Sequence, residues 1–306
     1  MNILHMKYAA EVARVGSLSK AAENLIIAQP NISRSIKELE TDLGITIFDR
    51  STKGMFLTPE GEEFISYAKS ILKQIENVEA MYKDGSAKKL KFSISVPRAS
   101  YISDAFAQFS KTLGSHDAEL FYKETNSKRT INNILDHDYK LGIIRYAENY
   151  DKYFKAMLEE KGLSYELITE FSYRLIMHKD SYLAQIEDVT FDDLTGYIEI
   201  AHADPYVPSL PLSKVVKEEL PDNIRRRIFV FERASQYDLL SENPETFMWV
   251  SPLPDKLLKR YNLIQKDCKE NQKIYKDVLI YEKGYKLSKL DKQFIAELYN
   301  SKQKYI

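Results

Sequence analysis

"AQPNISRSIKELETDLG", residues 28–44, decides how the front of this chain is built. Ile32, Ile36, Leu39 and Leu43 fall four, three and four residues apart, one apolar stripe of a helix. The other side carries Pro30, Ser33, Arg34 and Lys37, small or basic, with a proline in the first turn. Small polar groups and two cations near the end with free amides suit an ordinary solvated face. They also suit a surface against which a molecule rich in negative charge lies.

The flanking sequence sharpens the choice. Leu4, Tyr8 and Val12, with Ala9 and Ala13 beside them, repeat at helical spacing and stop at Gly16. Ser19 is the candidate N-cap of "KAAENL", whose Ala22 and Leu25 point inward. Two brief helices feeding an exposed third make a helix-turn-helix. Downstream, Ile45, Ile47, Phe56 and Leu57 flank "RSTKG", a small hairpin turning at Gly54 and tipped by Arg50 and Lys53. Alone it reads as a surface turn; beside that helix it reads as a wing able to touch a phosphate backbone.

Thr58-Pro59-Glu60 opens a helix with a capping hydroxyl, a proline at the first position and acids at the positive end of the dipole. Phe64, Ala68, Ile71, Ile75, Val78 and Tyr82 then alternate at four and three, a narrow heptad seam within 59–83. Such a seam lies against its own domain or meets a second copy of itself, and its length favours dimerisation. Residues 84–89 read as a hinge.

From Leu90 the pattern becomes "LKFSISV" strand, "ISDAFAQFSKTL" helix, "AELFYKE" strand, "RTINNILDHD" helix and "YKLGIIRY" strand. That series is the mark of a parallel sheet with crossover helices. A second series follows: "YRLIMHK", "FDDLTG", "YIEIAH", "LSKVVKEEL", "RRIFVFE", "SQYDLLSE", "TFMWVS" and "DKLLKRY", closed by "KIYKDVLIYEK" and "SKLDKQFIAELYNS". Two α/β lobes result, lobe I about 90–160 and 268–306, lobe II about 161–267.

Composition excludes several classes. The 44 Lys and Arg balance 45 Asp and Glu, so nucleic-acid binding depends on local placement of cations rather than on overall charge. No apolar run is long enough to span a bilayer, and the charged N-terminus is unlike a signal peptide, so the expected location is cytoplasmic. Cys268 is the single cysteine, an incidental thiol without a paired-cysteine metal motif. The ten glycines form no phosphate loop or dinucleotide fingerprint, and the five histidines have no ligand spacing. "DHD" at 136–138 reads as a solvated loop. No metal, cofactor or enzymatic mechanism is expected.

Strand-to-helix junctions in open sheets present free amides to ligands. Arg98, Ser100 and Tyr101 stand at one such junction, Thr125, Asn126 and Ser127 at a second, Arg145 and Tyr146 at a third, and His202 at a fourth. Across a cleft between lobes they could hold a small anionic or polar organic molecule; singly, each could be a capping group.

Residues 1 to about 60 resemble the winged helix-turn-helix of LysR-type transcriptional regulators. The resemblance rests on "GSLSKAAENL", "AQPNISRSIKELETDLGITIFDR" and "LTPEGEEF". It implies that Gln29, Pro30, Asn31, Ser33, Arg34 and Lys37 face the major groove of double-stranded DNA, with Arg50 and Lys53 of the wing on the backbone. It also implies an α+β winged helix-turn-helix with a long linker helix, then an α/β two-lobed, periplasmic-binding-protein-like effector domain. The implied partners are a small-molecule effector, a homodimer assembling to a homotetramer, and RNA polymerase. Two departures stand out: Ala28 replaces a common capping serine, and Asn31 replaces a small apolar residue. Past residue 90 the likeness is one of architecture. Two rival functions remain open: a small-molecule-binding protein or enzyme using the lobes, and an architectural DNA protein with vestigial lobes.

Overall fold

The computed structural model describes residues 2–51, 54–83, 89–203 and 224–305. The chain divides into two compact units, Met1–Ala87 and Lys88–Ile306.

In the first unit, helices α1 (Ile3–Val15), α2 (Leu18–Leu25) and α3 (Gln29–Leu43) are followed by the hairpin β1 (Phe48–Ser51) and β2 (Gly54–Leu57), then α4 (Pro59–Lys83). The apolar stripe of α3 is buried as its spacing requires: Ile32, Ile36 and Leu39 are sealed against Ala9, Val12, Ala21 and Ile47. Gly16 ends α1 in the left-handed conformation. The N-cap of α2 is Ser17 rather than Ser19, its hydroxyl accepting from the Lys20 amide at 3.4 Å. Ser19 lies inside the helix, because Leu18 is already helical.

Two glycines set close approaches. A Cβ on Gly54 would meet the Gly16 carbonyl oxygen at 2.7 Å, so the residue read as a turn former also lets β2 seat on the end of α1. A Cβ on Gly61 would lie 2.1 Å from the Ile47 carbonyl oxygen, so α4 passes there only without a side chain. Thr58 does cap α4, accepting from the Gly61 amide at 2.9 Å while donating to the Thr46 carbonyl at 2.6 Å.

The second unit holds two five-stranded mixed sheets. Lobe I orders β4 (Ala118–Glu124), β3 (Leu90–Val96), β5 (Leu141–Ala147), β12 (Ile274–Glu282) and β6 (Leu163–Ser172). Its helices are α5 (Ser100–Lys111), α6 (Ser127–Leu135) and α7 (Asp151–Glu160). Lobe II orders β11 (Leu263–Lys266), β7 (Arg174–His178), β10 (Thr246–Val250), β8 (Ile198–His202) and β9 (Arg226–Val230). With it go α8 (Arg233–Glu242) and α9 (Asp255–Arg260), and α10 (Lys289–Tyr305) closes the chain on α5 of lobe I.

The expected parallel pairing holds for β3 with β4 and β5, and for β8 with β9 and β10. The strands entering and leaving the second lobe run antiparallel: β12 pairs antiparallel with both β5 and β6, and β7 with both β10 and β11. This moves the lobe boundary. Residues 163–172, assigned above to lobe II, pair along β12 in lobe I, so the chain first crosses near Tyr173 instead of after residue 160. Helix α7 and strand β6 were absent from the sequence reading. The helix "LSKVVKEEL", Lys53 and most of the hinge lie outside the described residues.

Candidate nucleic-acid interface and interlobe site

Burying Ile32, Ile36 and Leu39 turns the other face of α3 outward. Gln29, Pro30, Asn31, Arg34 and Lys37 are exposed and Ser33 half-buried, with Arg50 exposed on β1. Ala28 occupies the N-cap without a side-chain hydrogen bond, so the first amides of α3 lack the partner a serine would give. The wing is fastened to α3 by Glu40, whose Oε1 accepts from the amides of Ile47 at 2.8 Å and Phe48 at 3.1 Å. Glu11 ties α1 to α2: Arg14, then Asn24, hold its carboxyl down to about 2.

The seam on α4 divides. Phe64 packs against the core of its own unit, with Ile65, outside the heptad, more deeply buried, and Ala68 is sealed. Ile71 and Val78 are 38% and 55% exposed, and Ile75 is half-buried. The Tyr82 side chain lies outside the described residues.

Between the lobes, side chains from both sheets meet. Arg233, at the start of α8 in lobe II, donates from Nη1 to Glu124 Oε1 at 2.7 Å and from Nη2 to Ser100 Oγ at 2.6 Å. Tyr237 reaches the same Ser100 hydroxyl at 3.1 Å. Arg98 Nη2 donates to the Phe231 carbonyl at 2.8 Å, and Lys256 bonds to Asp104. His202, at the end of β8, is pushed down to about 3 by burial and then by the charges of Arg98, Arg145 and Arg233. Its Nδ1 and the Gln236 Oε1 are sealed from solvent with no hydrogen-bond partner among the described residues.

The other expected cleft residues serve different ends. Arg145 is held bidentate by Asp277, both bonds 2.7 Å, and lies over the rings of Phe171 and Tyr173. Tyr101 is fully buried and donates to the same Asp277 at 2.7 Å. Tyr146 faces the opposite side of β5, stacked on Phe154 with its hydroxyl on Asp151. Asn126 caps α6, Ser127 bonds both the amide and the carbonyl of Arg145, and Thr125 is buried. Arg98, Ser100 and His202 thus belong to the interlobe region, while Tyr101 and Tyr146 are core groups of lobe I.

Arg233, Glu124, Tyr237 and Asp277 were missed. Arg233 opens a helix just after a strand, so the junction rule that selected Arg98 would have found it. Asp277 carried a signal too, an acid inside the apolar run "YKDVLIY". Cys268 is buried, which pushes its thiol up. His137, in the "DHD" turn, has φ of 57° and places Nδ1 3.5 Å from Glu282 Oε2.

Residues 3–62 match the family described as the bacterial regulatory helix-turn-helix protein, lysR family. The chain is similar to the uncharacterized HTH-type transcriptional regulator YcgK of Bacillus subtilis, 44% identical over 98 residues, 32% of this chain and 30% of that one. It is also similar to the HTH-type transcriptional regulator CzcR of Bacillus subtilis, 31% identical over 151 residues, 48% of this chain and 52% of that one. The matched stretch thus spans about a third to a half of these relatives' own lengths. Full-length CbnR in complex with its target DNA has a similar fold, with a TM-score of 0.60 at 16% identity, covering 98% of this chain and 100% of that one. Residues 3–62 therefore carry the helix-turn-helix that the lysR family model describes, and the chain as a whole has a fold similar to that of CbnR, a LysR family transcriptional regulator.

Proposed function

We propose that this protein is a sequence-specific DNA-binding transcriptional regulator that responds to a small-molecule effector held between its two C-terminal lobes. The observation that carries the reading is the outward face of α3, where Gln29, Pro30, Asn31, Ser33, Arg34 and Lys37 stand opposite a sealed apolar stripe. Arg34 suits a bidentate bond to a guanine edge, and Lys37 and Arg50 suit phosphates, which fix register. The exposed part of the α4 seam would join two copies and so present two reading helices to one DNA duplex. Homodimers of this kind would pair further into tetramers.

The effector would be small and anionic or polar. Burial and then the charges of Arg98, Arg145 and Arg233 depress His202, so three guanidiniums converge there, two of them held by Asp277 and Glu124. An effector shifts the balance between lobe arrangements only through different affinity for each. In this reading the protein catalyses nothing.

The test is binding of the full chain to a randomised duplex pool, followed by titration of the selected sequence at several salt concentrations. We expect a selected motif, an affinity that falls steeply with salt, and loss of about tenfold or more in sequence preference for Arg34→Ala. Unchanged preference in that variant would reject α3 as the reader. Binding without any motif would favour a purely architectural role.

A further inference from the structure

We infer that Glu38 is a positioning residue that holds Arg34 ready for one base contact, and that His5 on α1 steadies it. The inference rests on α3 being the reading helix. Arg34 Nε donates to Glu38 Oε1 at 3.0 Å, and the other carboxylate oxygen, Oε2, lies 3.8 Å from His5 Nε2. Arg34 is 83% exposed, Glu38 half-exposed and His5 largely buried.

An exposed ion pair four residues apart on a helix fixes little by itself, because two long side chains must be ordered to make it. Here a ring from a second helix, His5 on α1, stands beside the carboxylate. His5 Nδ1 is sealed, with no hydrogen-bond partner among the described residues. A proton on that nitrogen would be a buried donor without an acceptor, so the neutral ring carries its proton on Nε2, facing Glu38. At 3.8 Å the contact is longer than a hydrogen bond, so His5 confines the Glu38 carboxylate by standing beside it rather than by bonding it.

The chemistry of arginine gives this restraint a use. Engaging Nε leaves the two terminal nitrogens of the guanidinium as a fork, the geometry that suits the N7 and O6 atoms of guanine. A side chain ordered beforehand loses less rotamer freedom on binding. The same carboxylate repels phosphates, so it lowers affinity for duplexes that do not offer the contact. Glu38 therefore trades general affinity for discrimination, and its two effects have opposite signs.

The test uses the full chain and fluorescence anisotropy on the selected duplex, on each of its single-base variants and on an unselected duplex. Wild type is compared with Glu38→Gln, Arg34→Ala and His5→Ala; the glutamine keeps the size of a half-exposed side chain. We expect Glu38→Gln to lose about tenfold in discrimination at the base pair where Arg34→Ala also loses it, and at no other. Its affinity for the unselected duplex should rise about threefold. His5→Ala should lose less at the same base pair. Retained discrimination there, or an equal change on every duplex, would overturn the inference while leaving α3 as the reader. If Arg34→Ala keeps the wild-type preference everywhere, the reading of α3 fails and this inference fails with it.

Discussion

At the scale of the residue, His202 shows what the interlobe region costs. Burial and three guanidiniums hold the ring neutral, pushed down to about 3. In the unfolded chain an imidazole takes up its proton near pH ~6.5. The stabilising effect of the neutral ring is therefore complete above that pH and is lost as the pH falls towards the folded value. Trp249 is the single tryptophan and lies in lobe II with His202, so its fluorescence reports the relevant unfolding. Between pH 7 and pH 5 wild type should lose about 2 kcal/mol more stability in urea than His202→Gln. Equal losses in the two proteins would mean that the ring is not desolvated.

At the scale of the element, α4 is one helix with two unlike halves. Its first turns are committed to their own unit through Phe64, Ile65 and Ala68. Ile71 and Val78 stand further along, exposed, at positions a second copy would cover. Replacing both by glutamate puts charges into a seam between copies but only onto the surface of a lone helix. Sedimentation equilibrium of the double variant should show monomer where wild type associates, with helix content by circular dichroism unchanged. Association that survives the change would place the interface elsewhere. The heptad was plain in the sequence. Its division was not, because the spacing does not reveal how far the unit's own core extends along α4.

At the scale of the whole molecule, two lobes of the second unit are linked by charged groups. Arg233 with Glu124, and Lys256 with Asp104, run from one lobe to the other. Breaking a largely buried pair from one side leaves a charge without its partner. Arg233→Met and Glu124→Gln should each lower the stability of this unit, and the double variant should lose less than their sum. A coupling of about 2 kcal/mol from urea unfolding would fit side chains that keep some solvent contact. Strict additivity would show that this pair does not hold the lobes together.

The sequence alone determined the elements of the front unit, because local patterns specify them: the stripe of α3, the stop at Gly16, the cap at Thr58. It also determined that two α/β lobes follow. Only the tertiary structure decided that β6 returns to lobe I, since a strand's partner depends on what else the sheet leaves unpaired. Tertiary structure alone turned Arg145 onto Asp277 and brought Arg233 to Ser100 and Glu124. Those pairs join residues more than a hundred positions apart, and no local rule fixes which charge a long side chain will find once the chain has folded.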